Sequence, residues 1–181
     1  DIFMMDVDGT NIVNLTQIDY PASEALYVAE PVWTHDDRII FIGTTDVFSS
    51  APRYNYYIMG TDGSNHRFFT AGGSDLGPAQ LHPDGNSLIF GASIGGAHIF
   101  KIDADGIDNA SDTLPTTLPP SADVSARHPA WSPLGDKIVF VLITPRSHEI
   151  AIMDANGSDI HSLTNESANF NPSWQALTVL C

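Results

Sequence analysis

One phrase occurs four times in this chain, and it constrains the fold more than any other feature. It reads PVWTHDD at 31–37, PAQLHPDG at 78–85, PAWSPLG at 129–135 and PSWQ at 172–175. The aromatic anchor or its replacement, Trp33, Leu81, Trp131 and Trp174, returns after 48, 50 and 43 residues. Behind each of the first three anchors comes an apolar run of strand length, RIIFIG at 38–43, SLIFGA at 87–92 and KIVFVL at 137–142. A second run follows: YYIMGTDG at 56–63, HIFKIDADG at 98–106 and EIAIMDANG at 149–157. Each ends in an Asp-Gly or Asn-Gly pair that suits a tight hairpin turn. A third run, NHRFFT at 65–70 or DIHSLT at 159–164, closes the unit. Each period therefore reads as four short antiparallel strands, A to D. The B runs are apolar on both faces, which places them in sheets stacked against a neighbour on either side. The expected class is all-β: a β-propeller of four-stranded antiparallel blades.

The same residues resemble the TolB-type, WD-like propeller repeat, P-x-W-S-P-D-G followed by I-x-F, I-Y-x-M-D-x-D-G-S-N and L-T. PAWSPLGDKIVF with EIAIMDANGSDIHSLT, in the third unit, follows that pattern almost throughout. The second unit departs most, with Leu81 in place of tryptophan and an added DNASDTLPTTLPPS segment that leaves its fourth strand hardest to place. The resemblance implies a periplasmic or extracellular bacterial protein that docks a partner. It names no ligand, because one fold serves many functions.

The chain opens on DIFMMDVDGTNIVNLT, the second half of a repeat, and ends on NPSWQALTVLC, the first half. The expectation is a single domain over 1–181, with blades at about 31–70, 78–118 and 129–164 and a composite blade of 172–181 plus 1–16. Pairing of the terminal strands then closes a ring of four blades and leaves no open sheet edge. An arc taken from a larger ring is the competing reading, and a start at Asp1 without a leader fits a processed protein or an excised piece.

Twenty-two acidic against seven basic residues give a net charge of −15, which argues against nucleic acid and anionic lipid as partners. No apolar run reaches the roughly 18 to 20 residues of a membrane helix. Cys181 is the only cysteine, so neither an intrachain disulfide nor a cysteine zinc cluster is available. The seven histidines fall at mostly non-equivalent repeat positions and read as scattered rather than as a metal centre. No HExxH, GxSxG or phosphate-cradling glycine loop is present. The expected function is non-catalytic binding or scaffolding, TolB-like. The alternative is an accessory propeller of, or fragment from, a larger hydrolase or polysaccharide lyase.

Two sets of candidate residues follow. The Asp-x-Asp-Gly turns cluster hard oxygen donors, most densely in DADGIDNASD, where Asp103, Asp105 and Asp108 are candidate calcium ligands. Turn structure is the preferred reading, since Asp and Asn stabilise tight turns and the twelfth-position glutamate of a calcium hand is missing. Strand direction supplies the second set. A–B and C–D turns lie at one end of each blade, and the longer B–C and D–A connections lie at the other. That long-loop face displays Tyr20, Tyr27, Phe48, Tyr54 and Phe170, where a protein or small ligand is expected to dock. The residues preceding each Pro anchor, Glu30, Gly77, His128 and Asn171, are expected to begin the innermost strands and ring the central channel at the same mouth. Glu30, His128, Asn171, Tyr20 and Tyr54 are the candidate ligand-binding residues.

Overall fold

Three antiparallel sheets of four strands, each a meander in chain order, make up most of the molecule. The computed structural model describes residues 1–16, 27–44, 50, 53–73, 77–93, 97–103, 116–118, 125–165 and 170–175. The first blade holds β3 (Tyr27–Trp33), β4 (Arg38–Thr44), β5 (Tyr54–Gly60) and β6 (Arg67–Gly73). The second holds β7 (Gln80–Leu81), β8 (Ser87–Ser93), β9 (Ala97–Asp103) and β10 (Thr116–Leu118), and the third β11 (Ser125–Trp131), β12 (Lys137–Ile143), β13 (His148–Asp154) and β14 (His161–Ser162). Ahead of them, β1 (Phe3–Met4) and β2 (Val13–Asn14) form a hairpin. The repeat anchors are structurally equivalent: Trp33 faces Ile39, Leu81 faces Leu88 and Trp131 faces Ile138 across the A–B ladder.

Residue alternation along each B strand divides the core between successive blade interfaces. Ile40 and Ile42 of β4 point toward the second blade and meet Leu88, Phe90 and Phe100. Ile39 and Phe41, one step out of phase, point the other way and meet Ile2 and Leu15 of the hairpin. In β8 the next alternate residue, Ile89, turns with Ile99 toward Trp131, Ile138 and Phe140 of the third blade. This is why the B runs carry no polar face.

Among the described residues, the Asp-Gly and Asn-Gly turns at 6–9, 60–63 and 154–157 are held by their own side chains. Asp8 accepts hydrogen bonds from the Thr10 amide (3.0 Å) and hydroxyl (2.7 Å), Asp62 from the Ser64 amide at 2.9 Å, and Asn156 from the Ser158 amide at 2.9 Å. Each turn then needs two left-handed residues. Gly157 supplies one (φ 84°), and Asp159 (φ 55°) the other, with Asn11 and Asn65 in the matching places of the other two turns. Asp and Asn tolerate that conformation better than other side chains, which accounts for their recurrence.

The inner strands differ from the sequence reading. β3 and β11 start at Tyr27 and Ser125, so Glu30 and His128 lie in mid-strand instead of at the strand start. Each sits in a bulge, where pairing slips between Ala29 and Val32 and between Arg127 and Ala130. The proline that follows has no N–H to give the ladder, and the bulge absorbs the missing bond without ending the strand.

Candidate functional site

The bulges define the site. Glu30, His128 and Asn171 all adopt left-handed backbone, with φ of 53°, 49° and 50°. For a residue other than glycine this conformation costs roughly 1 to 2 kcal/mol, so its appearance at three equivalent pre-proline positions marks a repeated device. The fourth equivalent position is Gly77, and a Cβ there would lie 3.1 Å from His128 Cδ2. The imidazole thus packs directly on the Gly77 backbone, in space that a side chain would take.

Tyr56 ties the first two blades together beneath this point. Its hydroxyl donates to the Gly77 carbonyl at 2.7 Å and reaches the Gly91 carbonyl at 3.3 Å. Burial, and after it the negative charge of Glu30, pushes the phenol well above its ordinary range. Glu30 is therefore electrostatically within the same neighbourhood while remaining exposed. His128 is half-buried, its Nδ1 is sealed without a hydrogen-bond partner, and burial followed by the Arg127 charge holds the imidazole below its usual pKa. It is thus a neutral ring at neutral pH. The structure brings Gly77 and His128 together beside the Tyr56 hydroxyl.

Asn171 belongs to a segment seated on the third blade: Trp174 Nε1 donates to the Ala130 carbonyl at 3.0 Å. Its side chain is exposed. At the long-loop end, Tyr27 and Tyr54 meet edge to face at 6.0 Å, with Tyr27 exposed and Tyr54 half-buried against the core. Phe170 is exposed and contacts His148 edge to face at 5.6 Å. Tyr20 and Phe48 lie outside the described residues, as do Asp105, Asp108 and the side chain of Asp103. Among the described residues no group of three or more His, Cys, Asp or Glu side chains is placed to hold a metal ion, and no helix is long and apolar enough to cross a membrane.

Two histidines that the sequence reading treated as scattered share one job. His82 Nε2 reaches the Gly135 carbonyl of the next blade at 3.0 Å, and the ring meets Trp131 edge to face at 4.6 Å. His35 packs in the same way on Gly85, whose added Cβ would come within 2.9 Å of the ring. The signal was present as a His four residues after Pro31 and after Pro78, and it was obscured because the third unit carries Pro133 there.

No protein-family model and no curated protein matches the chain. Solved structures do. The structure of TolB from Acinetobacter baumannii superposes with a TM-score of 0.67 at 19% identity, over 94% of this chain and 39% of that one. The chain has a TolB-like β-propeller fold. A putative TolB from Agrobacterium tumefaciens gives 0.64 at 21% identity, over 90% of this chain and 55% of that one. An oligogalacturonate lyase in complex with manganese gives 0.62 at 16%, over 90% and 47%, and a Mycobacterium tuberculosis puromycin-hydrolyzing peptidase gives 0.58 at 15%, over 77% and 24%. The chain thus spans less than two thirds of the length of each. Structures of TolB, of a lyase and of a peptidase all contain this arrangement of blades.

Proposed function

We propose that this chain is a non-catalytic binding propeller of a bacterial periplasmic or extracellular protein, which takes a partner through the long-loop face and the channel beneath it. The observation that carries this reading is the repeated left-handed bulge. It recurs at Glu30 and His128 on two inner strands, Asn171 shares its left-handed backbone at the matching repeat position, and Tyr27 meets Tyr54 edge to face. Glu30 supplies the charge, and the net charge of −15 strengthens the preference for a cationic group. The partner group best suited to the site is a lysine or arginine side chain of a docking protein, or a small ligand bearing an ammonium. Tyr20 and Tyr54 supply apolar contact at the rim, and Asn171 adds an amide. A panel of lysine- and arginine-containing peptides, read by fluorescence anisotropy, tests this. Glu30→Gln combined with His128→Asn, which retains a residue tolerant of left-handed backbone, weakens binding at least tenfold without changing the melting temperature. Equal binding by the double variant overturns the proposal.

The composite blade is part of the same proposal. The domain comprises blades at about 31–70, 78–118 and 129–164 and a fourth formed by 172–181 with 1–16. Removing 172–181 lowers the melting temperature, and an unchanged melt is the contrary result. A second reading, an accessory propeller of a larger hydrolase or lyase, is favoured by the likeness to a peptidase of which this arrangement of blades covers only 24%.

A further inference from the structure

We propose that Asn156 is a self-modifying site, whose carboxamide loses ammonia through a cyclic imide formed with the Gly157 amide and leaves aspartate or isoaspartate in the turn. Asn156-Gly157 is the only Asn-Gly pair in the chain. It lies at the tip of the turn that follows β13, where Asn156 is exposed. The glycine has no Cβ to obstruct ring closure between its nitrogen and Asn156 Cγ. The matching turns of the hairpin and the first blade carry Asp8-Gly9 and Asp62-Gly63, with the same bond from the side chain to the amide two residues on. Those carboxyls are held below their ordinary pKa by their hydrogen bonds to Thr10 and Ser64 and are therefore ionised. A carboxylate is a poor electrophile. Among the described C–D turns, only that of the third blade presents a carbonyl carbon open to attack.

Two donors from Ser158 prepare that carbonyl. Asn156 Oδ1 accepts from the Ser158 amide at 2.9 Å and from the Ser158 hydroxyl at 2.7 Å, which withdraws electron density from Cγ. The same donors meet the oxyanion that forms as nitrogen adds, as fixed donors do at other acyl centres. The hydroxyl also lies 3.0 Å from Asp154 Oδ2, and Lys137 Nζ holds the other oxygen of that carboxylate, so the serine is positioned from the strand side. One bond opposes the reaction. The Gly157 N–H donates to the Asp154 carbonyl at 2.8 Å and must leave it first, but at an exposed turn such local opening costs far less than global unfolding. Hydroxide then removes the amide proton, the nitrogen lone pair bonds to Cγ, and the Cγ–Nδ2 bond breaks as water protonates the departing ammonia. Water next opens the imide. Breaking the new bond to Cγ gives aspartate, and breaking the bond from nitrogen to the main-chain carbonyl carbon of residue 156 gives isoaspartate. The sum is carboxamide plus water to carboxylate plus ammonium, with nothing oxidised or reduced. Aspartate reproduces the sister turns at Asp8 and Asp62, whereas isoaspartate inserts a methylene into the backbone and separates Gly157 from the Asp154 carbonyl.

The test incubates the folded full chain in mildly alkaline buffer and follows each asparagine by peptide mass spectrometry, with an isoaspartyl methyltransferase marking the isoaspartate. Asn156 is expected to convert before every other asparagine. Ser158→Ala deletes the hydroxyl donor and keeps the amide, at an exposed position where the fold tolerates the change. It is expected to slow conversion by about three- to tenfold in the folded chain, the worth of one hydrogen bond, and to leave the rate in urea unchanged. Asn156→Asp has no carboxamide to lose, so its peptide gains no mass and identifies the signal. Asn156 left intact while other asparagines convert overturns the proposal. A folded-state rate that Ser158→Ala does not change overturns it as well, because the turn then contributes nothing that the Asn-Gly pair lacks in an unfolded chain.

Discussion

Two blade interfaces in this molecule are made from the same repeat positions and are finished to different degrees. Between the second and third blades, Trp131 is sealed among Ile89, Ile99 and Ile138, and the His82 ring caps it from the neighbouring turn. Between the hairpin and the first blade, Ile2 and Leu15 cover Ile39 and Phe41, but Trp33 stands open. The residues on the first-blade side are as apolar as those on the third. What differs is that a four-stranded neighbour covers one interface and a two-stranded neighbour the other. A tryptophan in this repeat contributes to stability only when the A–B turn of the preceding blade reaches it.

The largest test of that contrast is a pair of truncations. Trp131→Ala removes a buried ring from a packed interface and is expected to cost about 3 to 5 kcal/mol. Trp33→Ala removes a ring that is 54% exposed and is expected to cost less than about 1 kcal/mol, as surface substitutions do. Urea titrations of the two variants decide it; equal losses show that Trp33 is covered in solution. Trp131→Phe sharpens the result. It retains most of the ring and deletes an indole N–H that is buried without a partner, so it costs less than the alanine variant.

Strand order and the apolar B strands were legible in the sequence because period-2 alternation and Asp-Gly turns are local signals. The D strand of the second blade, hardest to place by pattern, is β10 at Thr116–Leu118, reached after a long connection. The starts of the inner strands were misread. The residue before each anchor proline was taken as a strand start, whereas the chain keeps pairing through a bulge at Glu30 and His128, and no local rule announces a left-handed residue before proline. The repeat makes these two residues equivalent, and both carry the same left-handed bulge; their depth along the strand was not anticipated. The exposure of Trp33 is a property of its neighbour and not of its own repeat, so no reading of PVWTHDD alone reveals it. The His35 and His82 contacts were hidden for the same reason, since each depends on a glycine roughly fifty residues downstream.

A second comparison isolates the interblade turn from its backbone. Gly9 and Gly135 have nearly the same left-handed φ, 83° and 75°, but a Cβ on Gly9 meets nothing within 4 Å, while one on Gly135 would lie 2.1 Å from His82 Nε2. Gly9→Ala therefore carries only the conformational cost, about 1 kcal/mol. Gly135→Ala adds a clash that displaces the His82 ring from Trp131, for a total of roughly 2 to 4 kcal/mol. Combining Gly135→Ala with His82→Ala recovers part of the loss, since the smaller residue makes room. If the double variant is additive, the His82 ring is not what the added methyl strikes.

The smallest effect is a dependence on pH at the less finished interface. His66 stacks on Tyr57 (5.5 Å) and Phe41 (5.2 Å) beside the hairpin, and its Nε2 is buried without a partner. Burial holds its pKa below the ordinary 6.5. The unfolded chain therefore takes up a proton near pH 6.5 at a point where the folded chain does not, so the unfolded state gains stability as the pH falls through that value. The loss continues down to the folded pKa and then levels. His128 shifts in the same direction, again because of burial, so the wild-type slope is the sum of both. It is separated from the acid limb, because the carboxylates of Asp8, Asp36, Asp62, Asp84, Asp154 and Glu149 are held below their ordinary values and lose their contribution only below about pH 4. His66→Phe keeps the aromatic stack and removes the titrating group. Melting temperatures measured from pH 7 to pH 5 should then fall less steeply in the variant than in the wild type, with the curves converging at pH 7. Parallel curves assign the whole slope to His128 and show that the hairpin interface opens to water around His66.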